Sequence, residues 1–136
     1  MLELKTLLLE QGFSLLQLER TGTEHYALTG LLNGRMSRFI VDTGASNTCI
    51  GLDRAADFGM QAEQSEIRAA GAGAIDMETH VSEGNSLEFD SWKAEGIQMV
   101  LFDLSHVNHA LNAHDEQEVD GILGADVLRR AMAVID

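Results

Sequence analysis

The chain has 136 residues, 45% of them apolar but only 5% aromatic. That length suits one domain with a real core of Leu, Ile, Val, Met and Ala. The net charge of −13, with no Lys/Arg stripe, excludes the basic footprint that nucleic acid or an anionic membrane surface demands. Thirteen glycines and no proline point to many tight turns and no long linker. Cys49 is the only cysteine, so no intrachain disulfide can form. Glu3 stands where a secretory leader wants base, and the apolar run Leu7-Leu8-Leu9 stops at Glu10. The expected location is the cytoplasm.

In chain order, Leu2 to Gln11 carries a short helical stripe at Leu4, Leu7 and Leu8, closed by Gly12. Phe13 to Leu18 reads as a strand, and Thr21-Gly22-Thr23 as a loop. The clearest hairpin follows. Tyr26 to Leu31 runs into Asn33-Gly34, and the returning strand through Met36, Phe39, Ile40 and Val41 delivers Asp42-Thr43-Gly44. Asp53 to Phe58 reads as a short helix with Asp53 as N-cap and Gly59 at its end. From Ile67 to Val81, the small residues of Ala69-Ala70-Gly71-Ala72-Gly73-Ala74 suggest a hairpin with a mobile tip. Leu87 to Phe89 and Ile97 to Phe102 are further strands, and Ser105 to Glu118 a polar loop. Val119 to Gly124 leads into a helix from Ala125 to Arg130, whose Asp126 and Arg129/Arg130 suit the macrodipole. Ala133 to Ile135 reads as a terminal strand. No repeat at a fixed period is visible.

The chemistry is concentrated in Phe39-Ile40-Val41-Asp42-Thr43-Gly44-Ala45-Ser46. A carboxylate set straight after a buried strand is half desolvated, which favours its protonated form. Gly44 allows a sharp turn that brings amide N–H groups near that carboxylate, and the Thr43 hydroxyl can lock the loop against a neighbour. The same Asp-x-Gly pattern is also ordinary turn chemistry.

A second motif changes the balance. Ile122-Leu123-Gly124 is an apolar pair followed by glycine at the head of a helix. With Asp42-Thr43-Gly44-Ala45-Ser46, the segment Val119 to Leu128 and the glycine-rich hairpin between them, it resembles the retropepsin-like and pepsin-like aspartic peptidases. The chain looks most like the small single-lobe aspartyl peptidases of bacteria. The resemblance runs from about Tyr26 to Ile135. It implies an all-β fold, a closed acid-protease-like barrel lobe with one or two short helices, spanning residues 25–136 behind a helix-and-strand extension at 1–24.

The resemblance also implies roles. Asp42 is the catalytic carboxylate. Thr43 interlocks with its copy across a two-fold axis, and Gly44 keeps the loop tight. Gly71, Ala72, Gly73 and Ala74 form the flap over the substrate. Gly121 to Gly124 brace the catalytic loop from behind. The activity implied is endopeptidase cleavage of peptide or protein, with no cofactor and no metal. One Asp-Thr-Gly supplies one carboxylate, so the resemblance implies a homodimer with two Asp42 side chains sharing a proton.

The pattern departs from its relatives in places. Ala45 follows Gly44, as in retropepsins, so a hydroxyl bond to the carboxylates is missing and the shared proton is favoured. Ala125 and Ser46-Asn47 occupy the places where retropepsins carry a dimer-tying arginine and acid. The flap tip lacks the aromatic residue of pepsins. Relatives continue beyond the position of Asp136 into a strand that helps form the dimer interface.

Rival readings are a catalytically silent peptide- or protein-binding module on the same fold, and a metal-dependent hydrolase using His106, His109 and His114 with Asp103 and Asp115. The second lacks the His-Glu-x-x-His spacing, and a solvated loop at the rim of the site accounts for those residues better. Neither a serine elbow nor a phosphate loop is present. Asp53, Asp57 and Asp76 read as solvated acids, His25 and His80 as surface or strand-edge residues, Cys49 as a buried structural thiol, and Trp92 as packing.

Overall fold

A computed structural model describes residues 3–71 and 74–136. Six strands close into a ring. They are β2 (Tyr26–Leu32), β3 (Arg35–Val41), β8 (Gly121–Leu123), β4 (Cys49–Gly51), β7 (Trp92–Phe102) and β6 (Ala74–Phe89), with β6 pairing back onto β2. Two further strands lie outside the ring: β1 (Glu19–Arg20) on β2, and β5 (Glu63–Gly71) on β6. Three short helices are added, α1 (Leu4–Glu10), α2 (Ser105–Ala113) and α3 (Ala125–Arg130). This is the all-β, closed barrel that the resemblance implies, with a few short helices where one or two were expected. No helix among the described residues is long and apolar enough to cross a membrane.

Local chemistry explains the ring. Asn33 and Gly34 both take positive φ (52° and 80°), which suits the two-residue turn between β2 and β3. Asn33 also closes the barrel. Its amide donates to Phe58 O at 2.9 Å and to Asn85 Oδ1 at 3.0 Å, and its own Oδ1 accepts Ser86 N at 2.9 Å. The buried Asn85 in turn donates to Ser82 O and Ile97 O, where β6 shifts register against β7. A polar turn residue and a β-bulge are thereby tied together at the seam.

The main core gathers Leu28, Leu32, Phe39, Ile50, Leu87, Phe89, Met99 and Leu101 inside the ring. Phe89 meets Phe39 edge-on and stacks on Trp92, so the only tryptophan does pack. A second cluster (Cys49, Val100, Phe102, Leu104, Ile122) and a third (Ile40, Leu111, Val119) both pack against Val107 of α2, which itself supplies Leu111.

Four local expectations need correction. Phe13 to Leu18 is not a strand; only Glu19–Arg20 pairs. The alternation there is real, since Leu16 and Leu18 pack on the core while Leu15 is exposed, but it serves packing without a ladder. Asp53 to Phe58 forms two 3-10 turns (Leu52–Arg54 and Ala56–Phe58) with no side-chain cap from Asp53, although Gly59 does end the segment in left-handed geometry. Ser105 to Glu118 is not a loop throughout, because its first nine residues are α2. Val107 and Leu111 sit one turn apart and face inward, and buried Asn108 exchanges two hydrogen bonds with the Val119 backbone (2.8 and 3.1 Å). Ala133 to Ile135 forms no strand, and Val134 and Ile135 stand exposed.

Asp120, just before β8, stitches three strands. Its carboxylate accepts Arg38 N (2.9 Å) and Arg54 Nη1 (3.0 Å), and its backbone bonds Arg38 O and Gly51 N. The Arg38 guanidinium is buried and forks onto Glu19 of β1, with Nη1–Oε2 at 3.0 Å. That hydrogen bond, then the charge beside it, holds the Glu19 carboxyl below its ordinary 4.5. A depressed folded-state value stabilises the fold above the unfolded carboxylate range, and the contribution is lost as pH falls through the folded value. Thermal melts between pH 6 and about pH 3 should therefore show a falling Tm, and Glu19→Gln should reduce the slope. An unchanged slope would remove this pair from acid sensitivity.

Candidate active site

Strand β3 is buried through Phe39 and Ile40, and Asp42 emerges half-buried at its end. Parallel pairing with β8 fixes the position: Phe39, Ile40 and Val41 lie opposite Gly121, Ile122 and Leu123, and Asp42 N continues the ladder to Leu123 O at 3.0 Å. The chain then turns, with Ala45 N donating to Asp42 O at 3.2 Å and Gly44 N to the Asp42 carboxylate at 2.9 Å. Gly44 does not adopt positive φ. What it supplies is space, because a Cβ there would lie 3.3 Å from Asp42 Oδ1.

Behind the loop, Ala125 N donates to Ala45 O at 2.7 Å. A Cβ on Gly124 would meet Ala45 O and the Asn47 carbonyl at 2.8 Å, so only glycine allows the two segments to approach this closely. The fully buried Thr48 hydroxyl accepts Gly124 N (3.0 Å) and donates to Asp126 Oδ1 (2.7 Å), and the same oxygen accepts Val127 N (2.8 Å). Thr48 is thus the bolt between the acid-bearing loop and α3. Neighbouring Cys49 is buried, and its thiol is pushed up to about 12 by desolvation first, then by the charges of Asp126 and Asp42.

Asp42 opens onto a cleft of about 440 Å³. The buried Ile40, Leu111 and Ile122 form an apolar floor, α2 also contributes His106, Val107 and Ala110, and the more exposed Thr23 and His25 complete the lining. Asp42 is the one acid among these lining residues. Among the described residues no group of three or more His, Cys, Asp or Glu is arranged to hold a metal ion.

The residues singled out by sequence thus divide into three groups. Asp42, Thr43 and Gly44 share one loop, with Thr43 exposed. The backbone of β5 and β6 forms a hairpin with Gly71 opposite Ala74, while Ala72 and Gly73 lie outside the described residues. Of the three histidines of α2 and its end, only His106 reaches the cleft. Thr48, Asp120 and His25 were not given roles by the sequence. A hydroxyl just before an apolar strand, and an acid before Gly-Ile-Leu-Gly, are signals only once the crossing of β3 and β8 is known.

Comparison with known proteins agrees with this geometry. No curated protein sequence matches the chain. Among solved structures, EIAV protease complexed with the inhibitor HBY-793 superposes with a TM-score of 0.59 at 18% identity, over 81% of this chain and 90% of that one. A retropepsin-like aspartic protease from Rickettsia conorii gives 0.56 at 16% identity, over 87% and 86%. The retroviral protease-like domain of Ddi1 from Leishmania major gives 0.54 at 18% identity, over 81% and 79%. At these identities the likeness is one of fold. The family described as aspartyl protease matches residues 28–127, from the middle of β2 into α3 and across both crossing motifs. The chain belongs to the aspartyl protease family, with a retropepsin-like fold.

Proposed function

We infer that the chain is an aspartic endopeptidase that works as a homodimer, with water activated between two Asp42 carboxylates. One observation carries the reading: a half-buried carboxylate, held by a backbone N–H at the mouth of a largely apolar cleft, and the one acid among the described residues that line it. Acid–base hydrolysis needs one carboxylate that accepts a proton and one that donates it. Two like charges in close contact cannot both ionise, so a symmetric pair holds one proton between them. The ionised member takes a proton from the bound water, and the protonated member donates to the scissile carbonyl oxygen. No covalent intermediate is required.

In this reading Thr43, exposed on the loop, meets its copy across the two-fold axis, and the hairpin of β5 and β6 closes over the peptide. The single buried thiol suits the cytoplasm.

Asp42→Asn should lower peptide cleavage by about 10²- to 10⁴-fold while leaving the fold intact, as read by circular dichroism. Mixing wild-type and Asp42→Asn chains after subunit exchange should reduce activity as the square of the wild-type fraction. A linear fall would mean that each chain works alone, and cleavage that survives Asp42→Asn would overturn the mechanism. Peptide binding without cleavage in the wild-type chain would favour the binding-module alternative.

The reading also requires a stiff loop. Thr48→Val leaves Gly124 N without its acceptor in a buried place and should cost about 1–3 kcal/mol in chemical denaturation. Thr48→Ser, which keeps the hydroxyl, should recover most of that loss.

A further inference from the structure

The cleft beside Asp42 has an unusual composition for a hydrophobic subsite. Its floor is aliphatic, with Ile40, Leu111 and Ile122 all at most 4% exposed, yet a polar group is fixed on its rim. Buried Thr21 anchors a tight strap: Thr21 N donates to His25 O at 2.8 Å, Glu24 N to Thr21 O at 3.1 Å, and His25 N to Thr21 Oγ1 at 3.1 Å. Thr21 Oγ1 then bonds Thr23 Oγ1 (2.7 Å), which bonds His25 Nδ1 (2.9 Å). Glu116, beyond the end of α2, accepts Gly22 N and ties the strap to the segment that follows that helix. The imidazole is therefore positioned before any ligand arrives, which lowers the entropy lost on binding.

We propose that this cleft receives the substrate side chains flanking the scissile bond and that His25 makes it selective for glutamine, an apolar stem ending in a neutral amide. The substrate class rests on the peptidase reading above. The aliphatic floor suits the two methylenes of the stem. With Nδ1 engaged by Thr23, the second ring nitrogen of His25 is left for the ligand. It is a donor in one tautomer and an acceptor in the other, and a primary amide offers both an acceptor and a donor. A carboxylate of similar size is disfavoured, because Asp42 shares the cleft and the chain carries −13. If two half-sites meet on a two-fold axis, the same selectivity acts on both sides of the bond.

The test separates binding from cleavage. Peptides with a reduced, uncleavable amide at the scissile position, carrying Gln, Leu or Glu on both sides of it, are titrated calorimetrically into the wild-type chain and into His25→Leu. His25 is exposed, so the variant should fold. The expected result is a five- to tenfold preference, in order of magnitude, for Gln over Leu in wild type, weaker binding of Glu than of Gln, and a Gln/Leu ratio near one in His25→Leu. A wild-type ratio near one, a preference for Leu or Glu, a Gln preference that survives His25→Leu, or no binding of any peptide would each overturn the proposal. Selective binding with no hydrolysis of the cleavable peptides would sink the peptidase reading and leave the subsite standing.

Discussion

Everything around Asp42 depends on the parallel pairing of β3 with β8. These strands are far apart in sequence and have no turn to set their register. Register is set instead by buried side chains on both and by Asp120, which grips the Arg38 backbone through its carboxylate and its own backbone N–H. A one-residue slip would move Ile40 and Ile122 off the cleft floor and turn their neighbours into it. The pairing carries one residue past the strand end, to Asp42 N and Leu123 O, and that bond decides where the carboxylate emerges.

The loop after Asp42 is too short to hold itself. It is clasped from behind by Gly124 and the first residues of α3, through Gly124 N, Ala125 N and the Asp126 carboxylate, onto partners in residues 45–48. Glycine at 124 sets how near the clasp can come, and the Thr48 hydroxyl locks it. Short helices contribute little stability by themselves. Here a six-residue helix is useful because its N-terminal groups are consumed by the loop it steadies. This is positional rigidity of the kind that general acid–base chemistry demands.

Much of this was legible in the sequence. Asn33-Gly34 announced its hairpin because only a turn with two positive φ angles needs that pair. Asp42-Thr43-Gly44 and Ile122-Leu123-Gly124 were linked only by their resemblance to aspartic peptidases, and the β3–β8 pairing does set them side by side. The errors fell where tertiary context overrides local pattern. Helix α2 was hidden by its polar surface, with only Val107 and Leu111 marking the inward face, and buried Asn108 read as a loop residue although it caps the approach to β8. Phe13 to Leu18 alternates like a strand but finds no edge to join. His25 could not be read as a cleft residue, because nothing local says that the strap before β2 folds across to face α2.

The position of Cys49 has a practical side. Its sulfur lies in the second core cluster, and burial together with two nearby acids keeps the nucleophilic thiolate scarce near neutrality. Alkylating reagents and peroxide therefore meet an unreactive group while the barrel is closed, and a reactive one once β4 leaves β7 and β8. The protein thus carries a built-in chemical reporter of its own opening, located directly behind the loop that holds the acid.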